Sequence, residues 1–211
     1  MRSAAEIRFR MRQELANAIL RVLPPSSGVT DAACPLPGLP DPAAVAAALR
    51  GTPWAVDLVG IADQILSGRV PLLGICVETG PEPAWRRDYL SGRETLPLYF
   101  RRLPYLDATK VGDHKNIWEL SRHQHLVLVA QAFTLTGDVR YSQYVFGQLR
   151  HWWRENPFQR GINWASSLEV GFRALSWIWI FHLLGKGMDA ACRKQFLTEL
   201  YRHGLLSLIH I

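Results

Sequence analysis

The hydrophobic pattern of the chain changes character at Lys115. From there, apolar residues recur at positions i, i+3, i+4 and i+7 through four segments, roughly 116–136, 138–155, 166–184 and 189–206. This spacing predicts four α-helices, each with an apolar side that faces a core. The links between them are short and rich in Gly, Asp, Pro and Asn. Because short links force consecutive helices to lie antiparallel, the pattern predicts two helical hairpins.

The third of these helices favours an open architecture. Its sequence, SSLEVGFRALSWIWIFHLL, is apolar nearly all round. Such a helix needs neighbours on every side, which a closed four-helix bundle does not provide. We therefore predict an all-α fold, an incomplete α/α toroid of antiparallel helix hairpins with an irregular N-terminal segment. A closed four-helix bundle is the alternative.

Residues 1–23 predict an amphipathic basic helix. Six residues form an apolar stripe at helical spacing, namely Ile7, Met11, Leu15, Ala18, Ile19 and Val22. Arg8, Arg10 and Arg12 lie largely off this stripe. A helix of this kind either docks on its own domain or lies on an anionic membrane surface.

The next two segments predict little regular structure. Residues 24–53 are rich in Pro, Gly and Ala and predict a linker that covers the domain. Within it, Asp41 is placed to cap a short Ala-rich helix with Pro42 at its first position. Residues 54–111 contain frequent Gly and Pro and predict irregular structure, with a short strand within 70–80.

Composition and charge narrow the classes of partner. Lys and Arg number 24 against 18 Asp and Glu, which gives a net charge of +6. This excess suits an anionic partner such as an acidic polysaccharide or a membrane surface. The chain has no Lys/Arg block and no nucleic-acid-binding motif, so we expect no nucleic-acid partner. Its 3 cysteines are far apart and its histidines form no metal-binding motif, so we expect no metal and no cofactor.

The 8 tryptophans are unusually many for 211 residues. A tryptophan is costly to place unless its ring packs and its N–H finds a partner. They predict either a bulky helical core or surfaces that stack against flat ligands such as sugar rings.

The stretch GINWASSLEVGFRALSW (161–177) is the first candidate site. Ser166 and Glu169 have the spacing of a capping box, and Glu169 and Arg173 that of an ion pair on one helix face. Neither pairing explains Asn163 and Trp164 before the helix. An amide that both donates and accepts beside a flat indole is typical of a sugar-binding wall, with loop support as the alternative.

The stretch from 112 to 138 is the second candidate. Glu119, Arg122 and His123 fall at i, i+3 and i+4, so on a continuous helix they share one face. A carboxylate, a guanidinium and an imidazole on one face orient either a polar ligand or one another.

These stretches resemble the N-terminal α/α-toroid domain of the heparinase II/III family of polysaccharide lyases. The resemblance rests on DHKNIWELSRHQHLVLVAQAFTLTGDVRYS, on WWRENPFQRGINWASSLEVGFRALSWIWIF and on WRRD at 85–88. The opening EIRFRMRQEL is also similar to the start of family members that lack a secretion signal. The resemblance covers about residues 54–205, and it places the toroid domain there.

The resemblance implies β-elimination on uronate-containing glycans. One group neutralises the uronate carboxylate, a base removes the neighbouring proton, and an acid protonates the leaving oxygen. The family assigns this work to an Asn-Asn-His motif, a later Tyr and a His of a following β-sandwich, none of which this chain contains. We therefore assign no catalytic residue. The expected substrate-binding residues are Asn163, Trp164, Glu169, Arg173, Arg122 and His123.

The resulting expectation is an N-terminal fragment of a polysaccharide lyase that is itself inactive. The alternatives are a non-catalytic helical module for anionic glycan and a membrane-surface protein that acts through residues 1–23. The resemblance implies the periplasm, but Arg8, Arg10 and Arg12 interrupt any export signal, so the cytoplasm is the alternative. The last six residues, LSLIHI (206–211), correspond to a translated transposon-end adapter, and we expect them to be a non-native tail.

Overall fold

The computed structural model describes residues 3–29 and 31–209, and the fold is all-α, as predicted. The helices are α1 (Ala4–Val22), α2 (Pro42–Leu49), α3 (Pro53–Leu66), α4 (Ala108–Val111), α5 (His114–Ser121), α6 (Gln124–Thr136), α7 (Val139–Glu155), α8 (Ser167–Leu184) and α9 (Ala190–Ile209). The strands β1 (Arg69–Leu72) and β2 (Ile75–Glu78) form a small antiparallel hairpin in which Arg69 faces Glu78. This hairpin includes the strand predicted within 70–80.

The two predicted helical hairpins are present and lie side by side. Gly137, in the left-handed conformation, ends α6, and Asp138 caps α7, so the two helices turn back on each other. A short 3-10 turn, Gly185–Gly187, links α8 to α9. Helix α6 lies against α3, α7 and α8. Successive hairpins that pack side by side are the arrangement from which an α/α toroid is built.

The irregular structure predicted for the start of 54–111 is wrong, because that region opens with helix α3. Pro53 takes the first helical position, and the Thr52 hydroxyl accepts a hydrogen bond from the Ala55 N–H at 3.3 Å. The buried residues recur at helical spacing: Ala55, Leu58, Ala62 and Ile65. The Thr-Pro cap and this spacing are signals in the sequence that identify the helix.

The continuous helix predicted for 116–136 is also wrong. It divides into α5 and α6 at Arg122 and His123, where His123 adopts a left-handed conformation with φ of 61°. That conformation costs roughly 1–2 kcal/mol for a residue with a side chain. The imidazole gains a buried hydrogen bond in return, because its Nδ1 accepts from the Trp177 indole N–H at 2.8 Å.

Helix α1 confirms the predicted N-terminal helix, but its apolar stripe faces away from the domain. A 2.7 Å ion pair between Glu14 and Arg101 attaches the helix by its polar side, where Asn17 is fully buried although its side-chain amide has no hydrogen-bond partner among the described residues. The stripe stays open to solvent at Ile7 (48% exposed), Met11 (67%), Leu15 (63%), Ile19 (52%) and Val22 (76%). The helix thus touches the domain without burying its hydrophobic face.

The predicted covering segment is fastened to α8 by one imidazole. The His182 Nδ1 accepts from the Leu36 N–H at 3.0 Å, and its Nε2 lies 3.0 Å from the Pro40 carbonyl oxygen. Asp41 then caps α2 through the Ala44 N–H at 2.9 Å, with Pro42 in the first turn, as predicted. Residues 31–49 therefore form a fixed cover over the α6 and α8 layer.

The predicted non-native tail begins inside the last helix. Leu206 is fully buried in the core, and α9 extends to Ile209. His210 and Ile211 lie outside the described residues. The origin of the tail stays a prediction.

Residues 3–29 and 31–209 contain neither a single helix that could cross a membrane nor a group of side chains that could hold a metal ion. No single helix there has both the length and the apolar character to cross a membrane. Helices α2 and α3 reach that threshold only when taken as a pair, and they meet at an angle of 110°. The same residues contain no group of three or more His, Cys, Asp and Glu side chains suited to hold a metal ion.

Candidate functional site

The six residues predicted for the site come together around the first half of α8, and most of them are buried. Asn163 and Arg173 are fully buried, as is His123. Trp164 and Glu169 retain less than a twentieth of their surface. Only the Arg122 side chain reaches solvent, with 24% exposed.

Arg173 is the centre of this cluster. Its Nε donates to His203 Nε2 at 2.8 Å, its Nη2 to the Asn163 carbonyl oxygen at 2.9 Å and its Nη1 to the Ser121 carbonyl oxygen at 3.3 Å. The guanidinium carbon lies 4.4 Å from the ring centre of Trp152. These hydrogen bonds all go to neutral acceptors, so the buried charge is stabilised by dipoles and an aromatic face. Burial lowers the pKa of Arg173 to about 9.

The loop before α8 is held by the amide of Asn163. Its Nδ2 donates to the Trp85 carbonyl oxygen at 2.8 Å and to Asn156 Oδ1 at 2.9 Å. The Trp164 indole N–H points to the Asn156 carbonyl oxygen at 3.3 Å. In the described part of the chain, the Asn163 Oδ1 is buried without a hydrogen-bond partner. The amide and the indole thus bind protein groups, with one acceptor left over.

The histidines of the cluster are held neutral. His203 Nδ1 lies 2.7 Å from the Glu199 carbonyl oxygen, so it carries the proton, and Nε2 accepts from Arg173. Burial, and then the charge of Arg173, hold the pKa of His203 well below its usual value of 6.5. Burial likewise lowers the pKa of His123, with further contributions from His125 and Arg173. Burial alone lowers the pKa of His125 to about 3.

Both local pairings predicted for Glu169 are wrong. The Ser166 side chain makes no capping hydrogen bond, and Arg173 turns into the core. Glu169 instead receives two hydrogen bonds from Arg122, Nε to Oε2 at 2.6 Å and Nη2 to Oε1 at 2.9 Å. A forked contact of this kind is stronger than a single ion pair between neighbours on one helix.

Glu119 completes a triad with Arg122 and Glu169. The Arg122 Nη1 donates to Glu119 Oε2 at 2.5 Å, as the shared helix face predicted. His123 leaves that face and enters the core, so its predicted place beside Arg122 and Glu119 is wrong. Hydrogen bonding to Glu169 raises the pKa of Arg122. One guanidinium between two carboxylates leaves an excess negative charge at this surface.

Sequence reasoning gave no role to Asp88, which fixes the loop before α5. Its Oδ1 accepts from the Leu90 N–H and the Asn116 Nδ2, both at 3.0 Å. Its Oδ2 accepts from the Ser91 hydroxyl at 2.5 Å and the Asp113 N–H at 3.0 Å. Burial acts to raise the pKa of Asp88, but these hydrogen bonds outweigh it and lower the pKa. Its two local partners, Leu90 and Ser91, indicate only a turn, and the partners that join it to α5, Asp113 and Asn116, are 25 and 28 residues away.

This arrangement stabilises the charged guanidinium of Arg173 in the core, and the guanidinium in turn fixes several helices to one another. Arg173 connects α8 to α5, α9 and the loop before α8. Substrate contact by Asn163, Trp164, Glu169, Arg173, Arg122 and His123 stays a prediction. Of this set, the triad around Arg122 is the part that reaches solvent.

The fold and the cluster define an all-α domain of helical hairpins built around a buried arginine. Residues 105–206 match the family model for the heparinase II/III N-terminus. This part of the chain is therefore an N-terminal region of the heparinase II/III family, which is related to polysaccharide lyases. No curated protein and no solved structure matches the chain.

We expect Arg173→Met to destabilise the protein by about 2–4 kcal/mol. The change leaves the acceptors on His203, Asn163 and Ser121 without a donor, at roughly 1–3 kcal/mol for each group. Loss of the buried charge offsets part of that cost. Urea denaturation followed by tryptophan fluorescence measures the free energy of unfolding.

The matched control is Arg140→Met. Arg140 is likewise an arginine on a helix of the domain, but it pairs with the carboxylate of Asp138 and its side chain is 65% exposed. An exposed ion pair contributes about 0–1 kcal/mol, so this variant should stay close to the parent. Equal stability of the two variants would show that Arg173 does not organise the core.

The buried histidines predict that stability falls as the pH drops below about 6.5. A histidine with a lowered pKa binds its proton more readily in the unfolded chain, so acid favours unfolding. Each such group contributes up to about 1.4 kcal/mol per pH unit between 6.5 and its folded pKa. We expect a lower urea midpoint at pH 5.5 than at pH 7.5.

His203→Gln tests the origin of this dependence. A glutamine oxygen can still accept from Arg173, but the side chain no longer titrates. We expect the drop in unfolding free energy between pH 7.5 and pH 5.5 to be smaller in this variant. An unchanged drop would mean that His203 is not among the groups responsible.

Proposed function

We propose that this chain is the N-terminal part of a polysaccharide lyase that cleaves uronate-containing acidic glycans, heparan sulfate-like or exopolysaccharide, by β-elimination. The observation that carries the proposal is the family match over residues 105–206. The net charge of +6 supports it, because an anionic polymer is drawn to a cationic protein. The acidic polysaccharide is the proposed partner.

Within this proposal, the chain binds glycan but does not cleave it alone. β-Elimination needs a base and an acid beside a neutralised uronate carboxylate. In support of this proposal, His123 and His203 of the cluster are buried and neutral, and we assign neither of them as the base or the acid. A purely binding, non-catalytic helical module is the alternative reading of the same features.

An assay of the 211-residue chain separates these readings from a complete enzyme. We expect no unsaturated uronate product from heparan sulfate or alginate, and measurable binding of both polymers that weakens with added salt. Titration calorimetry at two salt concentrations measures the binding, with a neutral glucan as the control. Turnover would contradict the proposal that the chain alone does not cleave glycan. Equal binding of the neutral glucan would contradict the proposal that its partner is an acidic polysaccharide.

We also propose peripheral membrane contact through residues 1–23, because α1 presents an exposed apolar stripe. Arg8 and Arg12 lie beside that stripe on the helical wheel and are exposed. An apolar stripe bordered by arginines suits the surface of an anionic bilayer. Because the ion pair between Glu14 and Arg101 attaches α1 by its polar side, the stripe is left free for that contact.

Deletion of residues 1–23 should abolish binding to vesicles that contain phosphatidylserine. Leu15→Asp should weaken binding by about tenfold or more, because it places a charge in the apolar stripe. The control is Val139→Asp, at a position 59% exposed on α7. Vesicle flotation measures the bound fraction. Binding retained by the deleted chain would contradict the proposal.

The compartment follows from the same family resemblance. We propose the periplasm, where an extracellular acidic glycan would be degraded, with the cytoplasm as the alternative. Fractionation of cells that express the native gene distinguishes the two compartments.

A further inference from the structure

The eight tryptophans divide into two groups. Six are buried and account for much of the core: Trp85, Trp118, Trp152, Trp153, Trp164 and Trp177. Trp54 is 50% exposed and Trp179 is 42% exposed. The two exposed indoles come from different helices, α3 and α8, yet they line the same cleft.

This cleft has a volume of about 250 Å³ and an almost entirely apolar wall. We call it the Trp54–Trp179 cleft. It lies where the covering segment and α2 cross the α6 and α8 layer, with Leu49 and Leu183 among its lining residues. Ligand sites for drug-sized molecules occupy about 300–1,000 Å³, so this cleft suits a single ring of a longer ligand.

The cleft is held in place before any ligand arrives. His182 lines it, and both imidazole nitrogens are already occupied by the covering segment, through the Leu36 N–H and the Pro40 carbonyl. Asp41 caps α2 beside it. These hydrogen bonds fix the covering segment and the start of α2 along one side of the cleft, so this side is formed without a ligand.

A cation lies next to the cleft. Arg50 follows α2, and its Nε donates to the carbonyl oxygen of Leu135, a residue of the cleft wall, at 2.9 Å. No carboxylate among the described residues pairs with Arg50. The terminal nitrogens of its guanidinium are therefore available to an anion. Gln131, half-buried in the wall, adds an amide that can donate and accept.

We propose that the Trp54–Trp179 cleft binds one pyranose ring that carries a carboxylate or sulfate. The C–H face of the ring packs on the indoles, and the anionic group binds the guanidinium of Arg50. Aromatic faces give large apolar contact area, and the arginine selects for charge. The inference rests on the proposed function, because it locates an acidic-glycan contact on this chain.

The first test uses the wild-type chain and follows the indole N–H signals by nuclear magnetic resonance. The probes are a heparan sulfate tetrasaccharide and a neutral glucose tetrasaccharide. We expect the acidic probe to shift the signals of Trp54 and Trp179 and to leave those of the six buried tryptophans in place. Acidic-probe binding that shifts other residues would overturn this inference and leave the proposed function standing. Failure of the acidic probe to bind at all would count against both.

Substitutions then test separately the packing of the sugar ring on the indoles and the binding of its anionic group by Arg50. We expect Trp54→Ala and Trp179→Ala each to raise the Kd for the acidic tetrasaccharide by about tenfold. Arg50→Gln should raise that Kd by about fivefold to tenfold and leave the weak binding of the neutral tetrasaccharide unchanged. Circular dichroism checks that each variant remains folded.

Two control variants sit elsewhere on the surface. Tyr201 is an exposed aromatic residue on α9, and Arg154 is an exposed arginine on α7. Tyr201→Ala and Arg154→Gln should leave the Kd for the acidic tetrasaccharide within about twofold of the parent. An equal loss in the controls would overturn the assignment of the cleft. A neutral alkyl glycol that shifts Trp54 and Trp179 while the acidic tetrasaccharide does not would identify the cleft as an apolar-ligand site instead.

Discussion

The guanidinium of Arg173 carries a positive charge in the fully buried core, and the surrounding side chains and carbonyl groups must solvate that charge in place of water. A buried charge without partners is strongly unfavourable. Here it is surrounded by the acceptors of His203, Asn163 and Ser121, which belong to three different parts of the chain. Each of these parts must be in place for the charge to be satisfied. The buried arginine is therefore solvated only when the helices that carry its acceptors are packed together.

The position of the tryptophans beside Arg173 also follows from the need to stabilise its buried charge. A cation in the core is stabilised by ring faces, and Trp152 and Trp164 supply them at 4.4 and 5.4 Å from the guanidinium carbon. Their indole N–H groups then need acceptors of their own, which Ser121 and Asn156 provide. Each buried polar group thus requires a hydrogen-bond partner, and that partner often requires another. This explains why amides, serines and histidines are buried beside six tryptophans in a core that is otherwise apolar.

The helices could be predicted from the sequence, because periodicity is a local property. Bounds near 138–155 and 166–184 agree with α7 and α8 to within a residue. The partners of Glu169 could not be predicted in the same way. The capping box and the pair with Arg173 are both sound local possibilities, but Arg122 reaches Glu169 from a position 47 residues earlier.

The break at His123 has the same cause. Helical spacing continues through the position, and nothing in the local sequence marks a left-handed residue there. The bond to Trp177, 54 residues later, makes the break favourable. The residues assigned to a sugar wall were recognised as a group, yet their burial depends on helices that meet only in the folded chain. Sequence spacing correctly paired Arg122 with Glu119, but it gave the wrong partners for Glu169 and His123 and did not show which side chains face water.

The charge around Arg122 is a further reason why we propose a glycan contact away from the buried cluster. Arg122, its one solvent-accessible cation, is shared by Glu119 and Glu169, so an incoming carboxylate would meet an excess of negative charge. Arg50 differs from Arg122 in these respects: it is exposed, and its Nε donates to the neutral carbonyl of Leu135, a residue that lines the same cleft as the two exposed indoles. Since like charges repel and the desolvation of a paired arginine is costly, our proposal places the acidic sugar at Arg50 and not at Arg122. The chain thus uses Arg173, inside the family region of residues 105–206, to build its core, whereas Arg50 lies outside that region and pairs with no carboxylate among the described residues.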